Sequence, residues 1–251
     1  MHPLIFIYVF MEIIFIRHAE PDYENNTLTK KGFKEAEILG KYLKDEKFNA
    51  MYVSTMQRAK LTALGILKYN DKFPVKYLDS LREFDTSFEL PYTKDGYGWD
   101  FKTSLLKNNE IYSYDKWKEA DFLKVEELHK RYDKETNEFL EIIESHGYKK
   151  EGKIFKVLKP NHDKIVFVCH FGRISYLLST LLNVSPILLA NYTVSAPTGI
   201  TRLFTEERER GEAIFRMTEY GSVTHLKMAN EPISFMARFC ETFDDETEHI
   251  D

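Results

Sequence analysis

The sequence predicts an α/β fold: a mostly parallel central sheet with helices on both faces, antiparallel edge strands, and a lid-like insertion over about 84–122. Two unbroken β-branched and aromatic runs, 13–16 and 165–169, have the character of strands buried on both faces of a parallel sheet. Between and after them, strand-like and helix-like segments alternate, which is the order that builds an open sheet with crossover helices. From Phe84 to Phe122 the periodicity disappears into an aromatic and charged stretch, too long for an ordinary connection.

The elements follow in order. Ile13 to Ile16 forms the first strand and ends at Arg17-His18. Thr29 then caps a helix from about Lys30 to Lys44, with Phe33, Ala36, Leu39 and Leu43 as its apolar stripe. Ala50 to Val53 is the second strand, Gln57 to Tyr69 the second helix, and Val75 to Leu78 a third short strand. The aperiodic segment carries Phe88, Tyr92, Tyr97, Trp99, Phe101, Tyr112, Tyr114 and Trp117, and reads equally as a pocket wall and as the small core of a subdomain. A long helix over about 123–145 has Val125, Leu128, Tyr132, Phe139 and Ile142 on one face and stops at His146-Gly147. Residues 147–158 alternate around Glu151-Gly152 as a hairpin does. Ile165 to Cys169 is the second central strand, and a helix runs from Ile174 to Leu182. Residues 199–204 and 213–218 are expected as antiparallel edge strands, and 244–251 as a disordered acidic tail.

At 251 residues the chain can bury a substantial core as one domain and needs no disulfide scaffold. Its two cysteines, Cys169 and Cys240, form no CxxC and no cluster at metal-ligand spacing, so no metal or cofactor is expected and a cytoplasmic setting is the simplest. Net charge is −5, with Lys and Arg dispersed among Asp and Glu; nucleic acid is therefore not an expected partner. Leu4 to Ile16 is apolar except for Glu12, but too short to span a bilayer comfortably, and it runs straight into Arg17-His18 without a cleavage signal. Residues before Met11 are read as an extension, with a membrane anchor as the weaker alternative and no stable membrane insertion expected. The oligomeric state is not legible.

Chemistry-bearing residues collect where ligands bind in open sheets, beyond the carboxyl ends of strands. His18 follows the first strand and His170 the strand at 165–169, with Arg17 at the same rim. Arg58 opens the helix after the second strand, and Glu83 follows the third. Two guanidinium groups and two imidazoles around one point make an anion site, and phosphate matches forked guanidinium donors best.

The strings Phe15-Ile16-Arg17-His18-Ala19-Glu20, Ser54-Thr55-Met56-Gln57-Arg58-Ala59 with Thr62-Ala63, Leu81-Arg82-Glu83 and Val168-Cys169-His170-Phe171-Gly172 occur in this order. Together they resemble the histidine phosphatase superfamily, also called the phosphoglycerate-mutase-like family, over about 12–83 and 164–226. The resemblance implies a histidine acid phosphatase-type phosphomonoesterase that needs no metal and acts on a small phosphorylated metabolite through a phosphohistidine. It makes His18 the nucleophile, Arg17, Arg58 and His170 the phosphate ligands, and Glu83 the acid for the leaving alcohol and then the base for water. A nucleophilic imidazole must be neutral to offer a lone pair. Phe171 stands where many members have Gly, and Glu24 where many carry a phosphate-binding Asn, so the adjacent Asn25 and Phe171 are the further phosphate-binding candidates.

Two other functions remain open: a phosphoglycerate or phosphosugar mutase, which returns the phosphoryl group to substrate, and a catalytically silent phosphate-ligand or partner-binding protein of the same fold. The short loop from His18 to Thr29 and the missing long mutase string argue against the mutase; retention of both histidines, both arginines and Glu83 argues against the silent protein. Cys169 reads as a buried small residue, His225 as a structural histidine near the site, and His129 and His146 have no chemical context.

Overall fold

The computed structural model describes residues 10–84 and 98–236, together with the backbone pairs 238–239 and 249–250. The expectations for residues before Phe10, for Phe88, Tyr92 and Tyr97, and for Cys240 lie outside the described residues, as does most of the acidic tail; within that tail His249–Ile250 pairs antiparallel with Arg238–Phe239.

Eight strands form one sheet. In chain order they are β1 (Glu12–Arg17), β2 (Ala50–Ser54), β3 (Val75–Leu78), β4 (Tyr148–Glu151), β5 (Ile154–Val157), β6 (Lys164–Cys169), β7 (Ile200–Glu209) and β8 (Glu212–Ser222), arranged in space as β3-β2-β6-β1-β7-β8-β5-β4. The neighbours from β3 to β1 are parallel and those from β1 to β4 antiparallel. The antiparallel side is wider than the sequence pattern suggested. β7 lies directly against β1, and the 148–157 hairpin supplies the rim beyond β8.

Alternation along the central strands sorts side chains onto two cores. Phe15, Tyr52 and Phe167 face one core, under helices α3 (Glu126–Ser145) and α4 (Phe171–Leu182); Ile14, Ile16, Met51, Val53, Val166 and Val168 face the other, under α1 (Lys30–Tyr42) and α2 (Gln57–Leu67). Phe167 stacks on Phe15 and Tyr52, at ring distances of 5.3 and 5.0 Å, and meets Phe139 of α3 edge-on at 5.2 Å. Truncating it to alanine would cost about 3–5 kcal/mol. A short helix, α5 (Pro186–Tyr192), packs beside α4, and α6 (Thr224–Met228) beside α1. Among the described residues no helix is long and apolar enough to cross a membrane.

Two helices differ from the pattern in ways that bear on function. In α1, Thr29 caps as expected by accepting from the Gly32 N–H, but Phe33 is 48% exposed and the buried face is Gly32, Glu35, Ala36, Leu39 and Gly40. The reason is the loop after His18: Glu35 accepts the Glu20 N–H at 3.0 Å, and a Cβ on Gly32 would lie 2.2 Å from the Glu20 carbonyl oxygen. Helix α4 begins at Phe171 rather than Ile174, because its first turn has no apolar periodicity to show but is held by Glu83.

The described part of the aromatic segment, from 98 to 123, carries short 3-10 turns between 105 and 123; Phe101, Ile111, Trp117 and Leu123 cluster there with Phe84, Tyr132 of α3 and Tyr176 of α4. Trp99 leaves that cluster and lies on the first turn of α4.

Candidate active site

β1 and β6 are parallel neighbours, with Arg17 in register with Cys169. The next residue of each is a histidine, and the ladder continues through the His18 N–H to the Cys169 carbonyl at 2.9 Å. Strand register alone therefore sets the two rings side by side, 5.0 Å between centroids, both buried.

His18 Nδ1 lies 2.8 Å from the Ala19 carbonyl oxygen. A carbonyl only accepts, so the proton is on Nδ1 and the lone pair on Nε2. The Arg58 Nε–H donates to that lone pair at 3.2 Å. Burial, reinforced by the Arg58 and then the Arg17 guanidinium, holds the His18 pKa well below the usual imidazole value, so the ring is neutral at physiological pH.

Arg17 is fixed by donation from Nη1 to the Ser195 carbonyl at 2.7 Å and faces the Phe171 ring at 5.9 Å. Arg58 sits in the first turn of α2 with Tyr23 stacked on its guanidinium at 5.3 Å. Thr62, one turn on, ties this helix to the nucleophile loop: its hydroxyl donates to the Arg58 carbonyl and accepts the Ala19 N–H, at 2.8 and 2.9 Å. This is the physical role of the threonine in the second string.

His170 is the N-cap residue of α4, with Nε2 2.8 Å from the Ser54 hydroxyl. Its pKa is lowered well below the ordinary value by burial, then by His18, Arg58, Arg173 and Arg17. Glu83 reaches the same helix end. Its Oε1 accepts from the Phe84 and Arg173 N–H groups, each at 2.8 Å, and its Oε2 accepts from the Gly172 N–H at 3.3 Å. A helix N-terminus supplies unsatisfied N–H donors, and these hold the Glu83 carboxyl in place. Behind it, Arg131 donates to the Glu83 carbonyl at 2.9 Å, Arg173 donates to the Arg82 carbonyl at 2.9 Å, and both arginines pair with Glu135 of α3.

The structure thus gathers Arg17, His18, Arg58, Glu83, His170 and Phe171. Asn25 is placed differently: its backbone and side-chain amides donate to Asp22 in an exposed turn, at 3.0 and 2.9 Å, and Tyr23 is the residue of that loop that reaches Arg58. Tyr23, Ser54 and Trp99 were not singled out by sequence reasoning. Ser54 opens a quoted string and Trp99 belongs to the aromatic insertion, but neither position announces its partner. Gly172 is needed because a Cβ there would lie 2.4 Å from the Trp99 ring and 2.9 Å from Glu83 Oε1.

Cys169 is inert, its thiol pushed up to about 12 by burial. His225 is buried beneath the site: Nε2 bonds the Thr198 hydroxyl at 2.9 Å, and the Thr198 N–H donates to the carbonyls of Arg17 and His18. His146 joins Asp163 and Tyr52, at 2.7 and 3.0 Å, on the α3 side of the sheet.

Residues 13–88 match the histidine phosphatase superfamily, branch 1. That span holds Arg17, His18, Arg58 and Glu83, and the sheet adds His170. No curated protein sequence matches the chain. Among solved structures, a phosphoserine phosphatase from Entamoeba histolytica in complex with phosphoserine superposes with a TM-score of 0.55 at 20% identity, covering 86% of this chain and 99% of that one. The native mycobacterial glucosyl-3-phosphoglycerate phosphatase gives 0.56 at 14% identity, covering 85% and 99%. At these identities the likeness is one of fold. Three of the four sequence strings lie within the family-model match at 13–88, and the solved structures share the fold.

Proposed function

We propose that the chain is a phosphomonoesterase that passes a phosphoryl group through His18 to water. The observation that carries this reading is the state of His18: a buried neutral ring whose Nε2 lone pair meets Arg58, beside Arg17 and His170. In the free protein Arg58 donates to the lone pair. An incoming phosphate dianion draws that guanidinium onto its own oxygens and frees Nε2 for attack.

Nε2 then bonds to phosphorus as the ester P–O bond breaks. Glu83 gives its proton to the departing oxygen, and Arg17, Arg58 and His170 hold the phosphoryl oxygens as charge redistributes. Water next attacks phosphorus, the P–N bond breaks, and Glu83 recovers a proton from the water. The longer hydrogen bond to Oε2 leaves that oxygen the more weakly held, which supports giving it this exchange.

The substrate side is bounded by Tyr23 over Arg58 and Trp99 beside Glu83, which suits a small phosphorylated metabolite with an apolar or ring-bearing leaving group. A cytoplasmic setting belongs to the same reading and rests on the sparse, motif-free cysteines. The test is phosphate release, without added metal, from sugar phosphates, nucleotides, phosphoglycerates, phosphoamino acids and p-nitrophenyl phosphate. Release by the wild type that vanishes in His18→Ala supports the reading; no release from any ester, or release that survives in His18→Ala, overturns it.

A further inference from the structure

The Ser54 hydroxyl is buried between two partners: it accepts the Met56 N–H at 3.2 Å and lies 2.8 Å from His170 Nε2. A serine hydroxyl has one proton to donate. Met56 N–H is itself a donor, so His170 Nε2 is the acceptor for that proton among the described partners. Were Nε2 to carry a hydrogen instead, a buried O–H would be left without an acceptor, which folded proteins avoid. Nε2 is thus the unprotonated nitrogen, and in a neutral ring the proton sits on Nδ1. His170 Nδ1 is buried and has no hydrogen-bond partner among the described residues.

We propose that Ser54 is a positioning residue that fixes the tautomer of His170, so that the two neighbouring histidines offer complementary groups to one phosphoryl group: a lone pair from His18 and an N–H from His170. The Ala19 carbonyl does for His18 what the Ser54 hydroxyl does for His170. One acceptor pins a proton on Nδ1 and exposes Nε2; one donor occupies Nε2 and exposes Nδ1–H. Both rings carry the same tautomer, yet they present opposite chemistry because opposite edges are engaged. Without Ser54, His170 is free to turn a bare lone pair toward an anion, which repels it. The tautomer assignment stands on the hydrogen bonds alone, and its catalytic consequence rests on the phosphatase reading above.

The experiment is a long-range proton–nitrogen correlation spectrum of the ¹⁵N-histidine-labelled protein, alone and with orthovanadate, joined to steady-state kinetics of Ser54→Ala and Ser54→Thr. In the wild type His170 shows a protonated Nδ1 and an unprotonated Nε2, and its Nδ1–H signal moves when vanadate binds. Ser54→Ala lowers kcat by about 10- to 100-fold, with the His170 signals shifted toward the other tautomer. Ser54→Thr keeps the hydroxyl and restores both. A protonated Nε2 in the wild type overturns the proposal, as does a Ser54→Ala protein whose tautomer and kcat are unchanged. The wild-type spectrum needs no variant to fold. If no ester is hydrolysed while the spectrum shows the expected tautomer, the phosphatase reading fails and the assignment holds; a vanadate titration that leaves Nδ1–H unmoved overturns the phosphoryl contact.

Discussion

Arg17, His18 and His170 stand at the ends of β1 and β6, held by strand register and buried on all sides, whereas Trp99 comes from the aromatic insertion. Glu83 lies between the two, its chain at the start of the insertion and its carboxyl on the first turn of α4. On the proposed reading, strand register therefore holds the groups that meet the phosphoryl group. On the same reading the leaving-group side rests on Trp99 and on a cluster that Tyr132 of α3 and Tyr176 of α4 complete.

The largest effects are expected on the phosphoryl side. Arg58→Met removes a phosphate ligand and should lower kcat/KM by about 100- to 1,000-fold for every ester. Arg58 also helps hold the His18 pKa down, second to burial. Its removal raises the pH at which the ring takes up a proton, so the acid limb of the kcat/KM profile should move upward. A uniform loss with an unmoved limb would separate Arg58 from the nucleophile.

Glu83→Gln probes the boundary. It should cost about 100-fold or more for alkyl phosphates, whose alkoxide needs a proton, and much less for p-nitrophenyl phosphate, whose phenolate leaves unaided. Equal slowing would remove Glu83 from the acid role.

Trp99→Leu tests the insertion alone. KM should rise about three- to tenfold for esters with ring-bearing leaving groups, as expected for one lost aromatic contact of about 1 kcal/mol, while inhibition by inorganic phosphate stays unchanged. A weakened phosphate inhibition would mean that Trp99 supports the phosphoryl side instead.

How much of this was legible follows the same division. The runs 13–16 and 165–169 announce central strands because burial on both faces leaves no polar alternation, and each ends on its histidine. Arg58 is visible at a helix start, and Thr29 is a cap whose hydroxyl type states its job. What local pattern does not carry is which strands lie side by side. Residues 199–204 read as an edge strand, but the apolar half of β7 pairs with β1 while Glu207–Glu209 lies exposed beyond it. Buried charge misled in the same way: Glu35 and Glu135 interrupt the apolar stripes of α1 and α3 because one holds the His18 loop and the other the arginines behind Glu83. Tyr23 and Trp99 are ordinary aromatic residues until their neighbours are known.

The smallest expected effect is on stability. His18 and His170 are held neutral by burial and nearby cations, and burial lowers His225 to about 4. In the unfolded chain these rings protonate near pH 6.5. Below that pH the unfolded state binds more protons than the folded one, so stability is full above about pH 7 and falls as the pH drops toward 4. Thermal melts should show a plateau at neutral pH and a Tm lower by several degrees, on the order of 5 °C, at pH 5. A Tm that rises on acidification would mean that the phosphoryl side holds charged imidazoles.

The central claim, that the phosphoryl group passes through His18, is tested most directly by rapid quench of the wild type during turnover of a labelled phosphate ester, followed by peptide mapping. An acid-labile, base-stable label is expected on the peptide containing His18 and absent from His18→Ala. Hydrolysis at full rate with no label on His18, or with label on His170, would contradict it.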